Sequence, residues 1–170
     1  MNKTLETKKQ SLEPNNPEIG ELLKKIGNVY FAEGKLTQAL SYYNQSLTIL
    51  RENVLSNQTE LAMLLNNIGE VYRNQGKLTD ALKHFQESLE LRRLILPENH
   101  PHIAMSLNNI GVVYKNQGKL TDALRYYYQA LEMRKKTLPL NHTDIAKSLA
   151  NIGVVLKTQE KYNDSLRYFR

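Results

Sequence analysis

The apolar positions of this chain recur in helical steps, and the steps themselves recur at a longer interval. Ile103, Leu107, Ile110 and Tyr114 fall four, three and four residues apart, and Leu120, Ala123, Leu124, Tyr127 and Leu131 form a second stripe of the same kind. Such spacing lays apolar side chains along one face of an α-helix. Asn116-Gln117-Gly118-Lys119 separates the stripes. Glycine closes helix C-termini in the left-handed conformation, so the segment predicts a helical hairpin. The same frame returns 42 residues earlier and later, at Gly27, Gly69, Gly111 and Gly153. Residues 65–81 read LNNIGEVYRNQGKLTDA and residues 107–123 read LNNIGVVYKNQGKLTDA. Self-similarity at a fixed period marks a repeat protein, in which one small unit stacks on its copies to build a core.

The pattern places first helices at 17–32, 59–74, 101–116 and 143–158, and second helices at 36–53, 78–95, 120–137 and 162–170. The repeat units then cover 17–58, 59–100, 101–142 and 143–170. Residues 1–16 read as the tail of a preceding second helix and its turn, because Leu5, Leu47 and Leu89 share the interval. Arg170 aligns with Tyr128 in the middle of a helix, so the chain is expected to be part of a longer array. Pro17 and Pro101 suit the first helical position, where a missing amide proton loses no partner. Asn15, Asn57, Asn99 and Asn141 precede those positions, and a left-handed backbone is expected there. A mid-helix glycine costs about 1 kcal/mol relative to alanine, so close contact must compensate at Gly27, Gly69, Gly111 and Gly153. Ala39, Ala81, Ala123 and Ser165 are expected to face these glycines. Tyr43, Phe85, Tyr127 and Phe169 should fill the space between units. The fourth unit, with Leu156, Glu160 and Ser165 at frame positions, should form the loosest hairpin.

Composition changes this picture little. Of 170 residues, 41% are hydrophobic and 24% charged, which is ordinary for a globular chain. No apolar run approaches the roughly 20 residues that cross a bilayer, and no apolar segment follows the first lysines as in a secretory signal. A cytoplasmic location without membrane contact is expected. The absence of cysteine excludes disulfides and thiolate metal sites. The formal charge of +6 is scattered, with no run of five or more basic residues, so no nucleic-acid partner is expected and an acidic partner is favoured over a basic one. His84, His100, His102 and His142 are the candidates for general base or metal work near neutral pH. His100 and His142 share the repeat interval in the turn before a first helix, where they should cap the helix or stack. His84 is assigned to the outer flank of a second helix. No metal, no cofactor and no enzymatic activity are expected.

Ile68-Gly69-x-x-Tyr72 followed by Ala81-x-x-x-Phe85 resembles the tetratricopeptide repeat, and the frame holds at Ile26, Gly27, Tyr30, Ala39 and Tyr43 and at Ile110, Gly111, Tyr114, Ala123 and Tyr127. The 42-residue period and the run NHPxIAxSLNNIGxVYxNQGK from 99 to 119 are similar to the units of kinesin light chains. The resemblance implies an all-α, right-handed superhelical solenoid of antiparallel helix hairpins whose first helices line a concave groove. No sustained heptads precede Pro17, so a kinesin heavy chain enters only through the resemblance. The family's inward positions correspond here to a peptide-binding groove of Lys24, Asn28, Met63, Asn66, Asn67, Glu70, Arg73, Met105, Asn108, Asn109, Val112, Lys115, Asn151 and Lys157. Asn67, Asn109 and Asn151 form a ladder of carboxamides able to pair with the main chain of an extended peptide. Arg73, Lys115 and Lys157 form a row that would favour an acidic or C-terminal peptide. Met63, Met105 and Val112 offer an apolar patch for an anchor side chain. The expected function is a protein-interaction scaffold. The alternatives are a targeting or regulatory repeat region cut from a larger enzyme, and a spacer that self-associates end to end.

Overall fold

The hairpins close through one recurring piece of backbone chemistry. Gly34, Gly76 and Gly118 have φ of +74°, +74° and +75°, a conformation that costs side-chain-bearing residues about 1–2 kcal/mol. That turn lets Lys35 N–H reach the carbonyl of Tyr30, Lys77 that of Tyr72 and Lys119 that of Tyr114, each at 2.9 Å. The carbonyls that helix ends leave open are thereby satisfied.

The structure is a computed structural model that describes residues 2–54 and 57–160. Those residues form eight helices and no strand: α1 (Asn2–Ser11), α2 (Pro17–Ala32), α3 (Leu36–Glu52), α4 (Gln58–Asn74), α5 (Leu78–Ile95), α6 (Pro101–Asn116), α7 (Leu120–Thr137) and α8 (Thr143–Thr158). The fold is all-α, with α2 to α8 within one residue of the expected bounds. The second helix expected at 162–170, with Ser165 and Phe169, lies outside the described residues.

The helix starts correct one expectation. Among the described residues Glu160 is the single non-glycine with positive φ, so Asn15, Asn57, Asn99 and Asn141 are not left-handed. At α2, α6 and α8 capping falls to the following residue, while α4 starts at Asn57 with no side-chain cap. Asn16 Oδ1 accepts from Glu18 N–H at 2.9 Å, and His100 Nδ1 and His142 Nδ1 accept from His102 N–H and Asp144 N–H at 3.1 Å. An extended N-cap residue whose side chain accepts from the second helical amide needs no left-handed turn.

The chain divides into two compact units, Met1–Leu91 and Arg92–Arg170, with the division inside α5. In the first unit, Ile19, Leu23 and Ile26 of α2 pack with Leu12, Tyr42 and Ile49. A second cluster joins Ala39, Tyr43 and Leu50 of α3 to Leu61, Leu64, Leu65, Ile68 and Val71 of α4. The second unit has a core of Ala123, Tyr127 and Leu131 of α7 with Ile145, Ile152, Val155 and Leu156 of α8.

Within each described hairpin the mid-helix glycine receives the aromatic ring itself. A Cβ added at Gly27 would lie 2.5 Å from the Tyr43 ring, one at Gly69 2.7 Å from Phe85, and one at Gly111 2.7 Å from Tyr127. The alanine expected opposite plays a smaller part: Ala39 touches Gly27 through its carbonyl oxygen, 3.3 Å from that Cβ position. Buried serines add hydrogen bonds between paired helices. Ser46 Oγ donates to Gly20 O at 2.6 Å and Ser88 Oγ to Ala62 O at 2.7 Å.

Two stability tests follow. Gly111→Ala should lower stability by about 2 kcal/mol, because the added methyl overpacks a fully buried ring; helix propensity alone would raise it by about 1 kcal/mol, so the sign of the shift in a denaturant melt decides. Glu160 has φ of +62° at the fourth turn. Glu160→Gly should stabilise by about 0.5–1 kcal/mol by relieving left-handed strain, with thermal unfolding as the measurement.

Candidate functional site

In the first unit, α2 and α4 turn several of the expected inward residues toward one another. Asn28, Phe31, Tyr43, Asn67 and Glu70 line a cavity of about 230 Å³. Its polar wall is a chain in which Tyr43 O–H donates to Asn28 Oδ1 at 2.7 Å and Asn67 Nδ2 donates to the same oxygen at 2.9 Å. Burial pushes the Tyr43 phenol up to about 12, so it remains a donor at neutral pH. Arg73, on the same helix, folds back on Glu70, with its Nη2 and Nε at 2.6 and 3.1 Å from Oε2. The first member of the expected basic row is therefore neutralised by an acid that itself lines the cavity. Met63 is exposed, and Asn66 is buried.

Lys24 is also buried, and it forms an ion pair with Glu60 of α4. Burial lowers its affinity for the proton, opposed by the charge of Glu21. The ammonium thus fastens α2 to α4.

The second unit shares the frame and changes the chemistry. Val112 stands where the first unit has Asn28, and it packs against the core that holds Tyr127. Consequently the Tyr127 hydroxyl is buried without a hydrogen-bond partner among the described residues, and burial pushes its phenol well above the ordinary tyrosine range. Asn151 Nδ2 donates to Asn108 Oδ1 at 2.9 Å. Lys115 is half-buried and Lys157 exposed. Met105 and Asn108, both half-buried, line a separate cavity of about 460 Å³ with Arg134 and Lys147. Asn109 is half-buried on α6.

Two repeating features escaped the sequence reading. One is a buried arginine. Arg92 Nη1 donates to His102 O at 2.9 Å and Ser106 Oγ at 2.7 Å, and Arg134 Nη1 donates to Asp144 O at 3.0 Å and Ser148 Oγ at 2.6 Å. Arg92 and Arg134 are 2% and 6% exposed. Burial brings the Arg92 guanidinium down to about 10, so it stays charged at neutral pH. The signal was present: Arg92 and Arg134, like Ser106 and Ser148, are 42 residues apart, while Leu50 and Leu64 hold those positions in the first unit. The other feature is an aromatic clasp beside each turn. Tyr30 stacks on Tyr42 and Tyr114 on Tyr126 at 5.3 and 5.4 Å between centroids, and Tyr72 meets His84 at 5.2 Å. Lys35, Lys77 and Lys119 lie over the first ring of each pair at 5.7–5.9 Å. His84 is thus half-buried against Tyr72 and not on an outer flank.

Among the described residues no group of three or more His, Asp or Glu side chains could hold a metal ion. No described helix is long and apolar enough to cross a membrane.

Helix hairpins nested by glycine and aromatic residues at a fixed interval define a protein-interaction repeat scaffold. Tetratricopeptide repeat models match residues 60–136, 103–170 and 21–53, and the chain belongs to the tetratricopeptide repeat family. It is similar in fold to BtubC (BKLC) from P. vanneervenii, with TM-score 0.84 and 22% identity over 90% of this chain and 61% of that one. A kinesin light chain-like protein of Podosopora anserina with nearly identical repeats superposes with TM-score 0.83 and 15% identity over 99% of this chain and 80% of that one. The apo form of RapI gives TM-score 0.83 and 28% identity over 97% of this chain and 44% of RapI. The chain thus spans less than two thirds of BtubC and less than half of RapI. No curated protein matches it.

The buried arginine makes a prediction about coupling. Arg92→Leu and Ser106→Leu should each destabilise by about 2–3 kcal/mol, because each leaves a buried polar partner unsatisfied or overpacked. The double variant reproduces the Leu50 and Leu64 pair that shares one core cluster in the first unit. It should fold with near wild-type stability, a coupling of about 4 kcal/mol or more in a double-mutant cycle.

Proposed function

We propose that this chain is a peptide-binding scaffold that holds an extended, acidic segment of a partner protein along the side chains of its first helices. The observation that carries the reading is the cavity lined by Asn28, Phe31, Tyr43, Asn67 and Glu70, where carboxamides and an aromatic face share one opening. A peptide main chain offers alternating donors and acceptors, and a carboxamide supplies both. Because Glu70 neutralises Arg73, the preference for acids rests on Lys115 and Lys157, which make no ion pair among the described residues. In the first unit the exposed Met63 adds apolar surface, and in the second the half-buried Met105 and Val112 do. The repeat fold shared with the kinesin light chain-like neighbour supports a scaffold role.

Fluorescence anisotropy with labelled acidic peptides tests this. Asn67→Ala combined with Asn109→Ala should weaken binding about tenfold or more, since two hydrogen bonds of about 1 kcal/mol each are lost, while the exposed Lys83→Ala leaves it unchanged. Equal affinity of both variants would remove the assignment. Affinity should also fall as salt rises, because exposed cations are screened.

A further inference from the structure

The starts of α6 and α8 share an arrangement that the starts of α2 and α4 lack. His100 Nδ1 accepts from His102 N–H and His142 Nδ1 accepts from Asp144 N–H, each at 3.1 Å. The carbonyls of the same two residues are also taken: Arg92 Nη1 of α5 donates to His102 O at 2.9 Å, and Arg134 Nη1 of α7 donates to Asp144 O at 3.0 Å. One residue in each first turn therefore joins a capping imidazole to the preceding helix. At the repeat positions of His100 and His142 the first unit has Asn16 and Gln58. Asn16 caps α2 through an amide oxygen, which does not titrate, and α4 starts with no side-chain cap.

An imidazole nitrogen accepts a hydrogen bond only while it carries no proton, and the imidazolium donates from both nitrogens. Protonation of His100 or His142 thus removes the cap and sets a cation against the positive end of the helix dipole. Both rings are half-buried, so solvent can supply the proton without opening the fold. The surroundings of the two rings differ. At His142 the Asp144 carboxylate lies 3.9 Å from Nδ1; it also pairs with Lys147 at 3.2 Å, and Arg134 holds the carbonyl of the same residue. That acid partly offsets the charge of a protonated ring. At His100 the equivalent residue is His102, whose ring meets that of His100 edge-on at 5.0 Å. Burial, with the charge of Arg92 and the neighbouring His100, holds the His102 ring below the ordinary histidine range. Glu98, two residues before His100, lines a cavity with Arg93.

We propose that the two capping histidines make the helix starts of the second unit an acid-sensitive joint, with α6 loosened more than α8, while the starts of α2 and α4 hold. The cap exists with the neutral ring alone, so the capped turn takes up fewer protons than the released one. Its stability is present above the imidazole range and lost as pH falls through it. The joint stands apart from the peptide-scaffold reading; its regulatory consequence rests on that reading, because α6 and α8 carry Met105, Asn108 and Asn151.

Amide hydrogen exchange of the full chain, read by NMR at about pH 7.5 and about pH 5.5 and corrected for the intrinsic pH dependence of exchange, tests this. Protection of the His102 amide should fall about fivefold or more on acidification and that of Asp144 by less, while that of Glu18, capped by Asn16, should not change. His100→Asn should abolish the fall at His102 and leave the one at Asp144 in place. Should that variant fail to fold, the wild-type titration decides: the His102 amide proton should shift upfield with the same midpoint as the ring protons of His100. A His102 amide whose protection and shift ignore the His100 titration overturns the joint. So does a fall that persists in His100→Asn, or an equal loss at Glu18, which is general acid destabilisation. Failure of the wild-type protein to bind acidic peptides at neutral pH removes the scaffold reading and leaves the joint in place.

Discussion

The structure depends on the contact between a glycine in the middle of each first helix and an aromatic ring on the helix that follows. A ring that sits 2.5–2.7 Å from where a Cβ would be tolerates only a hydrogen at that position. The helical cost of glycine, about 1 kcal/mol, is offset by burying Tyr43, Phe85 or Tyr127 completely. Because the hairpin can close in one register only, everything beyond the turn is placed with it. The tyrosine or histidine three residues after the alanine, at 42, 84 and 126, meets the tyrosine of the first helix, and the buried serines find a carbonyl to bond.

With that frame held constant, the units differ in what they do with polarity. Around the first ring, Tyr43, Asn28 and Asn67 form a closed hydrogen-bonded set, and Arg73 is matched by Glu70. Around Tyr127 the equivalent asparagine has become Val112, and a phenol donor has no acceptor among the described residues. The Leu50 and Leu64 contact of the first unit is replaced by arginine and serine in the second. Each substitution keeps the packing and changes the charge or the hydrogen-bond balance, which is how a scaffold alters what it holds without altering its fold.

Burying an arginine against neutral oxygens is a poor way to stabilise a core, since an apolar pair of similar volume serves as well or better. Arg92 and Arg134 both retain it. Arg92 bonds the first turn of the following helix and so sets how α6 starts after the turn, while Arg134 does so for α8 and also borders a cavity.

The hydrophobic period and the turn glycines were enough to determine the helices, their pairing and the family, because the 3.6-residue step and the left-handed closure are local properties of the chain. The inward-facing list was legible only as positions. Which of those side chains stay available was decided by partners far away in sequence: Glu60 takes Lys24, Asn28 takes Asn67, and Asn108 takes Asn151. Likewise nothing local marks Arg92 and Arg134 as buried, since the serine and the open carbonyl they bond lie on the next helix. Periodicity reports which face a residue shares; only the tertiary structure brings together groups separated by a whole repeat, and hydrogen bonds and ion pairs are settled at that range.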